Sequence, residues 1–138
     1  MALLEKQLTI KKSKIPGSGK GLFTKKTIAK GTRIVEYKGK IKTWKEVKEH
    51  PVFNGYVYYI NRNCVIDAMN YKKAFGRFAN DAKGTTQIPG VKNNCRYEVD
   101  GSKVYITAIT NIDAGAEIFV SYGKEYWDAV RYNEKLGL

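Results

Sequence analysis

The chain of 138 residues contains very little histidine and cysteine, and this scarcity excludes much metal and acid–base chemistry. Its one histidine, His50, stands beside Pro51 at an expected helix end, where a surface or capping role is far more common than catalysis. Its two cysteines, Cys64 and Cys95, form no Cys-x-x-Cys pair. The sequence therefore predicts no metal site, no zinc cluster and no disulfide scaffold.

Long apolar runs are also missing. The apolar start Met1–Leu4 meets Glu5 and Lys6 at once, so neither a membrane-spanning helix nor a signal peptide fits. We therefore expect an intracellular protein with no membrane partner, located in the cytoplasm or with the nucleus or nucleoid. A chain of this length is expected to form one domain over residues 1–138, and its 43% hydrophobic residues are enough for a packed core.

Acidic residues are scarce in the first third of the chain. Between Lys11 and Lys48 lie 13 Lys or Arg residues but only two acids, Glu36 and Glu46. The stretch from Glu98 to the C terminus has the opposite balance, with seven acids against four Lys or Arg. The basic segment favours contact with nucleic acid or another acidic surface, and a solvated lysine-rich face explains it equally well.

Short runs of β-branched and aromatic residues dominate the chain and predict a mainly β fold, with the last four runs forming two hairpins. The expected strands are Gln7–Lys11, Leu22–Thr24, Arg33–Tyr37, Tyr56–Ile60, Cys64–Asp67, Cys95–Val99 and Lys103–Thr107. Thr43 and Glu46 predict a capping box that starts a short helix ending before Pro51. Among the remaining segments, Glu125–Leu136 has the length of a terminal helix.

One pattern, I-x2-G-x2-I-x4-G, occurs twice with a spacing of 84 residues. Its residues are Ile28, Gly31, Ile34 and Gly39 in the first copy, and Ile112, Gly115, Ile118 and Gly123 in the second. Each copy predicts a tight turn that leads into a strand. Convergence on a common turn-and-strand unit accounts for two copies equally well.

Two segments are candidate ligand sites. Ile15–Gly21 (IPGSGKG) carries three glycines, which allow the backbone to approach a ligand closely. It lacks the flanking strand and helix of a Rossmann phosphate loop and has no Walker lysine. Arg77–Ala82 (RFANDA) offers the side-chain amide of Asn80, which fits a self-bonding turn equally well. Neither segment is informative by itself.

Taken in order, three blocks of the sequence resemble the SET-domain family of protein lysine methyltransferases. They are GKGLFTKKTIAKGTRIVEYKG, the pair RFAND and NNCRY, and IDAGAEIFVSYG, and the resemblance runs from Ile15 to about Trp127. It implies the family's knotted, mainly β fold of short strands and small sheets with a short C-terminal helix. It also implies an S-adenosyl-L-methionine (AdoMet)-dependent enzyme that methylates the side-chain amine of a lysine in a protein substrate.

The resemblance assigns residues to one site. Tyr122 takes the catalytic position, and its ordinary pKa of about 10 favours a positioning hydroxyl over a general base. The implied AdoMet-binding residues are Gly19, Lys20, Gly21, Arg77, Phe78, Asn80, Asp81 and Trp127. The implied lysine channel contains Tyr56, Tyr58, Tyr59 and Val120, although YVYYI is also typical of a half-buried strand.

The sequence departs from the family pattern at three places. Asp81 stands where the family has histidine, which is tolerable if the position contacts the adenine through its main chain and damaging if a side-chain bond is needed. The loop Ala82–Lys92 is longer than the usual bridge before Asn94, which matches the family's Pro-Asn pair. Cysteine-rich flanks are missing, and Tyr126 or Trp127 is expected to supply aromatic cover for the cofactor instead.

Two other interpretations stay open. One is a SET-like binding module without turnover, whose basic segment Lys11–Lys48 contacts nucleic acid. The other is a structural or oligomeric β-rich domain. A homodimer is compatible with the enzyme and with both alternatives. For the enzyme, the charge distribution favours a histone or another DNA-associated protein as substrate, with its basic tail drawn to the acids of the C-terminal third.

Overall fold

The computed structural model describes residues 3–50, 55–84 and 86–135, and within them it contains nine strands and two α-helices. The strands are β1 (Leu8–Lys12), β2 (Lys20–Thr24), β3 (Arg33–Glu36), β4 (Lys40–Lys42), β5 (Val57–Asn61), β6 (Cys64–Asp67), β7 (Cys95–Asp100), β8 (Lys103–Ala108) and β9 (Glu117–Ile118). The helices are α1 (Trp44–Lys48) and α2 (Lys124–Lys135). Short 3₁₀ turns span Glu5–Gln7 and Phe75–Phe78.

The strands form three small antiparallel sheets with the orders β1-β2-β9, β3-β8-β7 and β4-β6-β5. In each sheet at least one pair of neighbours is distant in sequence, as β2 and β9 are. The mainly β fold of small sheets with a short C-terminal helix is therefore confirmed.

The seven expected strands are found with ends shifted by two residues at most. The capping box of α1 is also present, because Glu46 N–H donates to the Thr43 hydroxyl at 3.2 Å and Thr43 N–H donates to the Glu46 carboxylate at 3.1 Å. The sequence did not predict β4, since a three-residue strand with two lysines has little β propensity of its own and depends on its pairing with β6. The expected end of the terminal helix, Leu136, lies outside the described residues.

The two copies of the repeated pattern pair with each other. Ile28 and Ile112 exchange main-chain hydrogen bonds of 2.8 Å in both directions, and both side chains are buried. Gly31 and Gly115 have φ values of +88° and +86°, the left-handed conformation that a tight turn requires and that glycine adopts without steric cost. The paired turns lead into β3 and β9, and β9 lies beside β2 in the first sheet.

The segment after β9 is threaded between two earlier parts of the chain. The Phe119 carbonyl accepts hydrogen bonds from the N–H groups of Asn94 and Cys95, at 3.1 and 2.9 Å, and Val120 N–H donates to the Asn80 carbonyl at 2.8 Å. Both pairings are parallel. Val120 belongs to the main core and has no exposed surface, so burial of apolar area stabilises this crossing. Two residues later, the same segment presents Tyr122.

Candidate active site

A cleft of about 590 Å³ collects residues that are far apart in the sequence, and its volume lies within the range of roughly 300 to 1,000 Å³ typical of small-molecule sites. The glycine-rich loop, residues 16–20, contributes one part of its lining. The start of β5, the segment around Asn80 and the region from Tyr122 to Trp127 contribute further parts. The threading of the chain beside Asn80 and Cys95 is what brings these parts together.

Ten of the thirteen residues assigned from the sequence line this cleft. They are Gly19, Lys20, Tyr56, Tyr58, Arg77, Phe78, Asn80, Asp81, Tyr122 and Trp127. The structure thus brings seven of the eight expected cofactor residues, the expected catalytic tyrosine and two of the four expected channel residues to one place. Their individual roles stay predictions.

The other three assigned residues, Gly21, Tyr59 and Val120, do not line the cleft. Gly21 is buried against Glu117, and a Cβ at this position would overlap the Glu117 carboxylate, so glycine is needed for close approach. Tyr59 lies on the opposite face of β5 from Tyr58, where it is 51% exposed. Val120 points into the main core.

Tyr122 is fixed from several sides. Its hydroxyl donates a hydrogen bond to the main-chain carbonyl of Ala79. Its ring stacks on Trp127 with 5.8 Å between centroids and 15° between planes, and it meets Tyr126 edge-on at 4.8 Å. Burial, and secondarily Tyr126, raises the pKa of Tyr122 well above its ordinary value. The hydroxyl therefore stays neutral at physiological pH, and its oxygen lone pairs remain to accept hydrogen bonds.

Asp81 is 5% exposed, and its carboxylate accepts four N–H groups. Oδ2 accepts from Tyr122 N–H at 2.9 Å and from the Trp127 indole N–H at 2.8 Å. Oδ1 accepts from Lys83 N–H at 2.8 Å and from the Asn93 side-chain amide at 2.9 Å. Both carboxylate oxygens of Asp81, which stands where the family has histidine, therefore accept hydrogen bonds from the protein itself.

Glu117 holds the base of the glycine-rich loop. Its side chain is 3% exposed; it accepts from the Ser13 hydroxyl at 2.6 Å and from Lys14 N–H at 2.9 Å. The Asn80 amide approaches the same carboxylate at 3.4 Å and donates to the Lys20 carbonyl at 3.0 Å. Sequence reasoning did not single out Glu117, although it opens the stretch that leads to Tyr122.

Tyrosines that were not assigned as site residues complete the aromatic wall of the cleft. Tyr37 donates its hydroxyl to the Tyr56 carbonyl at 2.7 Å and meets Tyr97 edge-on at 5.7 Å. Tyr97 lies 4.9 Å from Tyr58 between ring centroids. One signal was available for Tyr97, because it lies two residues after Cys95 on β7 and must share the face of that buried residue.

Arg77 also faces the cleft from a fixed position. Its Nη1 donates to the carbonyls of Ala68 and Met69, at 3.0 and 2.8 Å. The guanidinium lies 3.9 Å from the centroid of the Tyr56 ring, which is a favourable cation–π arrangement. Lys20 is the other cation in the lining, and Asp81 is the only acid among the described residues there.

Five tyrosines of the cleft, one buried and four half-buried, predict an alkaline transition. Burial raises the pKa of Tyr37, Tyr58, Tyr97, Tyr122 and Tyr126 above the ordinary value of 10.0. The folded protein therefore holds these protons more tightly than the unfolded chain does. Their contribution to stability is complete below pH 10 and is lost as the pH rises above it. Ultraviolet titration of tyrosinate should show part of the ten tyrosines ionising late and together with unfolding. A single transition near pH 10, like that of the denatured chain, would contradict this.

Metal ligands are not grouped in the described part of the chain. No cluster of three or more His, Cys, Asp or Glu side chains there is placed to hold an ion. None of the helices found there combines the length and the apolar character that a membrane crossing requires.

Comparison with known proteins places the chain in a family. The sequence matches the family described as SET domain over residues 19–123. Among solved structures, the methyltransferase domain of human PR domain-containing protein 2 matches with a TM-score of 0.60 and 24% identity, covering 85% of this chain and 77% of that chain. Curated proteins give no match. The structural likeness supports the fold, and the sequence match covers most of the chain. This chain therefore belongs to the SET-domain family.

Proposed function

We propose that the chain is an AdoMet-dependent protein lysine N-methyltransferase in which Tyr122 is the catalytic residue. The state of the Tyr122 hydroxyl carries this proposal. The hydroxyl is neutral, its hydrogen is engaged by the Ala79 carbonyl, and its ring is held by Trp127 and Tyr126 in the wall of the cleft. A hydroxyl in this state positions an amine by accepting its N–H and cannot serve as a general base at neutral pH.

The residues on the glycine-rich side of the cleft fit AdoMet. Gly17 and Gly19 have φ values of +80° and +65°, and a Cβ at either position would meet no atom within 4 Å. Glycine is therefore needed here for backbone conformation, and the lack of a side chain lets a ligand approach the main chain closely. Asn80 adds an amide, and Phe78 and Trp127 add flat aromatic surfaces suited to an adenine ring. When bound, AdoMet supplies an electrophilic methyl group on a positively charged sulfur.

The aromatic part of the cleft is suited to a neutral lysine amine. A lysine with a pKa near 10.4 costs roughly 4 to 5 kcal/mol to deprotonate at pH 7, at about 1.4 kcal/mol per pH unit. A dry tyrosine wall lowers this cost by disfavouring the ammonium form, and the Arg77 guanidinium acts in the same direction. The charge of Asp81 opposes this effect, but its carboxylate is already engaged by four N–H groups of the protein.

For the substrate, we propose a histone or another DNA-associated protein, with the basic segment Lys11–Lys48 contacting the nucleic acid. Lys12 and Lys20 lie directly opposite each other on β1 and β2, both exposed. Like charges in this arrangement are unfavourable unless an acidic partner lies nearby, which supports the proposal. The acids Glu98 and Asp128 pair with neighbouring arginines and lysines, so attraction of a basic tail to them adds little support.

We expect AdoMet to stabilise the purified chain and labelled methyl groups to pass from AdoMet to protein lysines in a whole-cell extract. At a hundredfold excess over Kd, binding adds about 2.7 kcal/mol of stability, which corresponds to a rise in Tm on the order of 10 °C. Thermal unfolding checks the binding, and label in acid-hydrolysed methyl-lysine checks the transfer.

The outcomes of this experiment separate the candidate functions. If AdoMet does not change the Tm and no methyl groups are transferred, the enzyme proposal is wrong. A raised Tm without transfer would favour a binding module without turnover. Parallel reactions on a DNA-packaging protein, with added duplex DNA and with high salt, test the substrate class. If neither addition changes the rate of methyl transfer, contact with nucleic acid through Lys11–Lys48 is contradicted.

A further inference from the structure

We propose that Asp81 is a positioning residue that holds Tyr122 and Trp127 in one fixed arrangement through a single carboxylate oxygen. The inference rests on the proposed function of Tyr122 and concerns a residue that replaces the family's histidine. It explains why the replacement of histidine by aspartate and the long loop after it occur together.

The Oδ2 atom of Asp81 joins two elements that follow each other closely in the chain. It accepts from the main-chain N–H of Tyr122 at 2.9 Å and from the indole N–H of Trp127 at 2.8 Å. Trp127 lies in the first turn of α2, and Gly123 lies between the two donors with a φ of +90°. Because a carboxylate makes stronger hydrogen bonds than a neutral acceptor, this oxygen sets the direction in which α2 leaves Tyr122.

The Oδ1 atom ties the long loop to the same point. It accepts from Lys83 N–H at 2.8 Å and from the Asn93 side-chain amide at 2.9 Å, and the side-chain oxygen Oδ1 of Asn93 in turn accepts from Ala82 N–H at 2.8 Å. The two ends of the loop are thereby closed on Asp81. Within that loop, Gly84 packs against the six-membered ring of Trp127 so closely that a Cβ would overlap it.

Tyr122 is consequently held at both ends by one short segment. Its hydroxyl donates to the carbonyl of Ala79, and its main-chain N–H donates to the carboxylate of Asp81, which lies two residues after Ala79. The Trp127 ring, held by Asp81 and Gly84, stacks on the Tyr122 ring. The position of the catalytic hydroxyl therefore depends on Asp81 through two separate contacts.

The chemistry of the side chain explains why a histidine would not serve here. A neutral imidazole has one acceptor nitrogen, whereas a carboxylate has two oxygens with about four acceptor sites. Asp81 uses four. The longer loop and the carboxylate thus depend on each other, since Lys83 within the loop and Asn93 directly after it supply two of the donors.

Asp81→Asn tests the proposal with little change of shape. Whichever way the amide is turned, its NH₂ group faces two N–H donors. At saturating AdoMet we expect kcat to fall about tenfold per folded molecule because the Tyr122 hydroxyl is displaced. We also expect the emission of Trp127 to move to the red, measured in a Trp44→Phe background that removes the other tryptophan. Asp100→Asn is the matched control, because Asp100 is exposed and pairs with Arg33 outside the cleft.

A second variant keeps the test decisive if Asp81→Asn does not fold. Trp127→Phe retains an aromatic ring and removes one N–H, and we expect kcat at saturating AdoMet to fall about fivefold with the fold intact. In the double variant the two losses should be less than additive, because both act through one contact. Wild-type kcat in either single variant, or unchanged Trp127 emission in a folded Asp81→Asn, would overturn the proposal. If the wild-type chain transfers no methyl groups, the proposed function fails, and the emission measurement still decides whether Asp81 holds Trp127.

Discussion

Replacing Tyr122 with phenylalanine is expected to reduce methyl transfer about 10²- to 10³-fold while leaving AdoMet binding intact. The substitution removes one oxygen, the atom proposed to accept the N–H of the substrate amine. The ring keeps its stacking on Trp127 and its edge contact with Tyr126, so the shape of the cleft is preserved. The Ala79 carbonyl loses its partner, which costs about 1 kcal/mol of folding stability and leaves the protein folded.

Single-turnover transfer and AdoMet titration by calorimetry separate the two effects. Tyr132→Phe is the matched control, because it makes the same chemical change at a tyrosine that is 63% exposed on α2 and lies outside the cleft. Transfer within a few-fold of wild type in Tyr122→Phe would remove Tyr122 from the catalytic role. Loss of AdoMet binding in parallel with transfer would instead give this hydroxyl a role in cofactor binding.

Glu117→Gln is expected to lower the free energy of unfolding by about 2 to 3 kcal/mol and to weaken AdoMet binding. The buried carboxylate receives the Ser13 hydroxyl and the Lys14 N–H on its two oxygens. An amide accepts at one of these positions and presents its own N–H groups at the other. Because these bonds hold the base of the glycine-rich loop, the substitution frees Gly17 and Gly19 to leave the conformation that fits the cofactor.

Denaturant unfolding and AdoMet titration measure these effects. Glu98→Gln is the matched control: its carboxylate accepts from Arg33 at 2.8 Å outside the cleft, and a surface pair of this kind contributes about 0 to 1 kcal/mol. Ser13→Ala combined with Glu117→Gln should cost less than the sum of the single changes. An unfolding midpoint and an AdoMet affinity equal to wild type in Glu117→Gln would show that the loop is held by other contacts.

Local sequence signals predicted the elements of this fold well. The strand β5, the capping box of Thr43 and Glu46, and the hairpin of β7 and β8 each follow from neighbouring residues, and each is found. β4 was missed because it depends on β6, which begins 22 residues after β4 ends. An element of this kind has no signal of its own, since its stability comes from pairing and not from propensity.

The candidate site was predicted where residues carry a motif and missed where they only meet in space. Gly19, Asn80 and Tyr122 line one cleft, as the resemblance implied. Tyr37 and Tyr97 were not assigned to it, because they join its wall only when the sheets β4-β6-β5 and β3-β8-β7 come together. Val120 has the expected place in the sequence, but strand alternation directs its side chain into the core.

By itself, the sequence determined most of the strands, the mainly β fold, the family and ten of the residues that line the cleft, because these depend on alternation, turn chemistry and motif order along the chain. The tertiary structure alone decided what Asp81 and Glu117 do. Each is a buried carboxylate that receives two N–H or O–H groups from far away in the sequence, those of Tyr122 and Trp127 for the first and those of Ser13 and Lys14 for the second. Since a buried charge must find its hydrogen bonds wherever the fold places donors, no local pattern could have identified those partners.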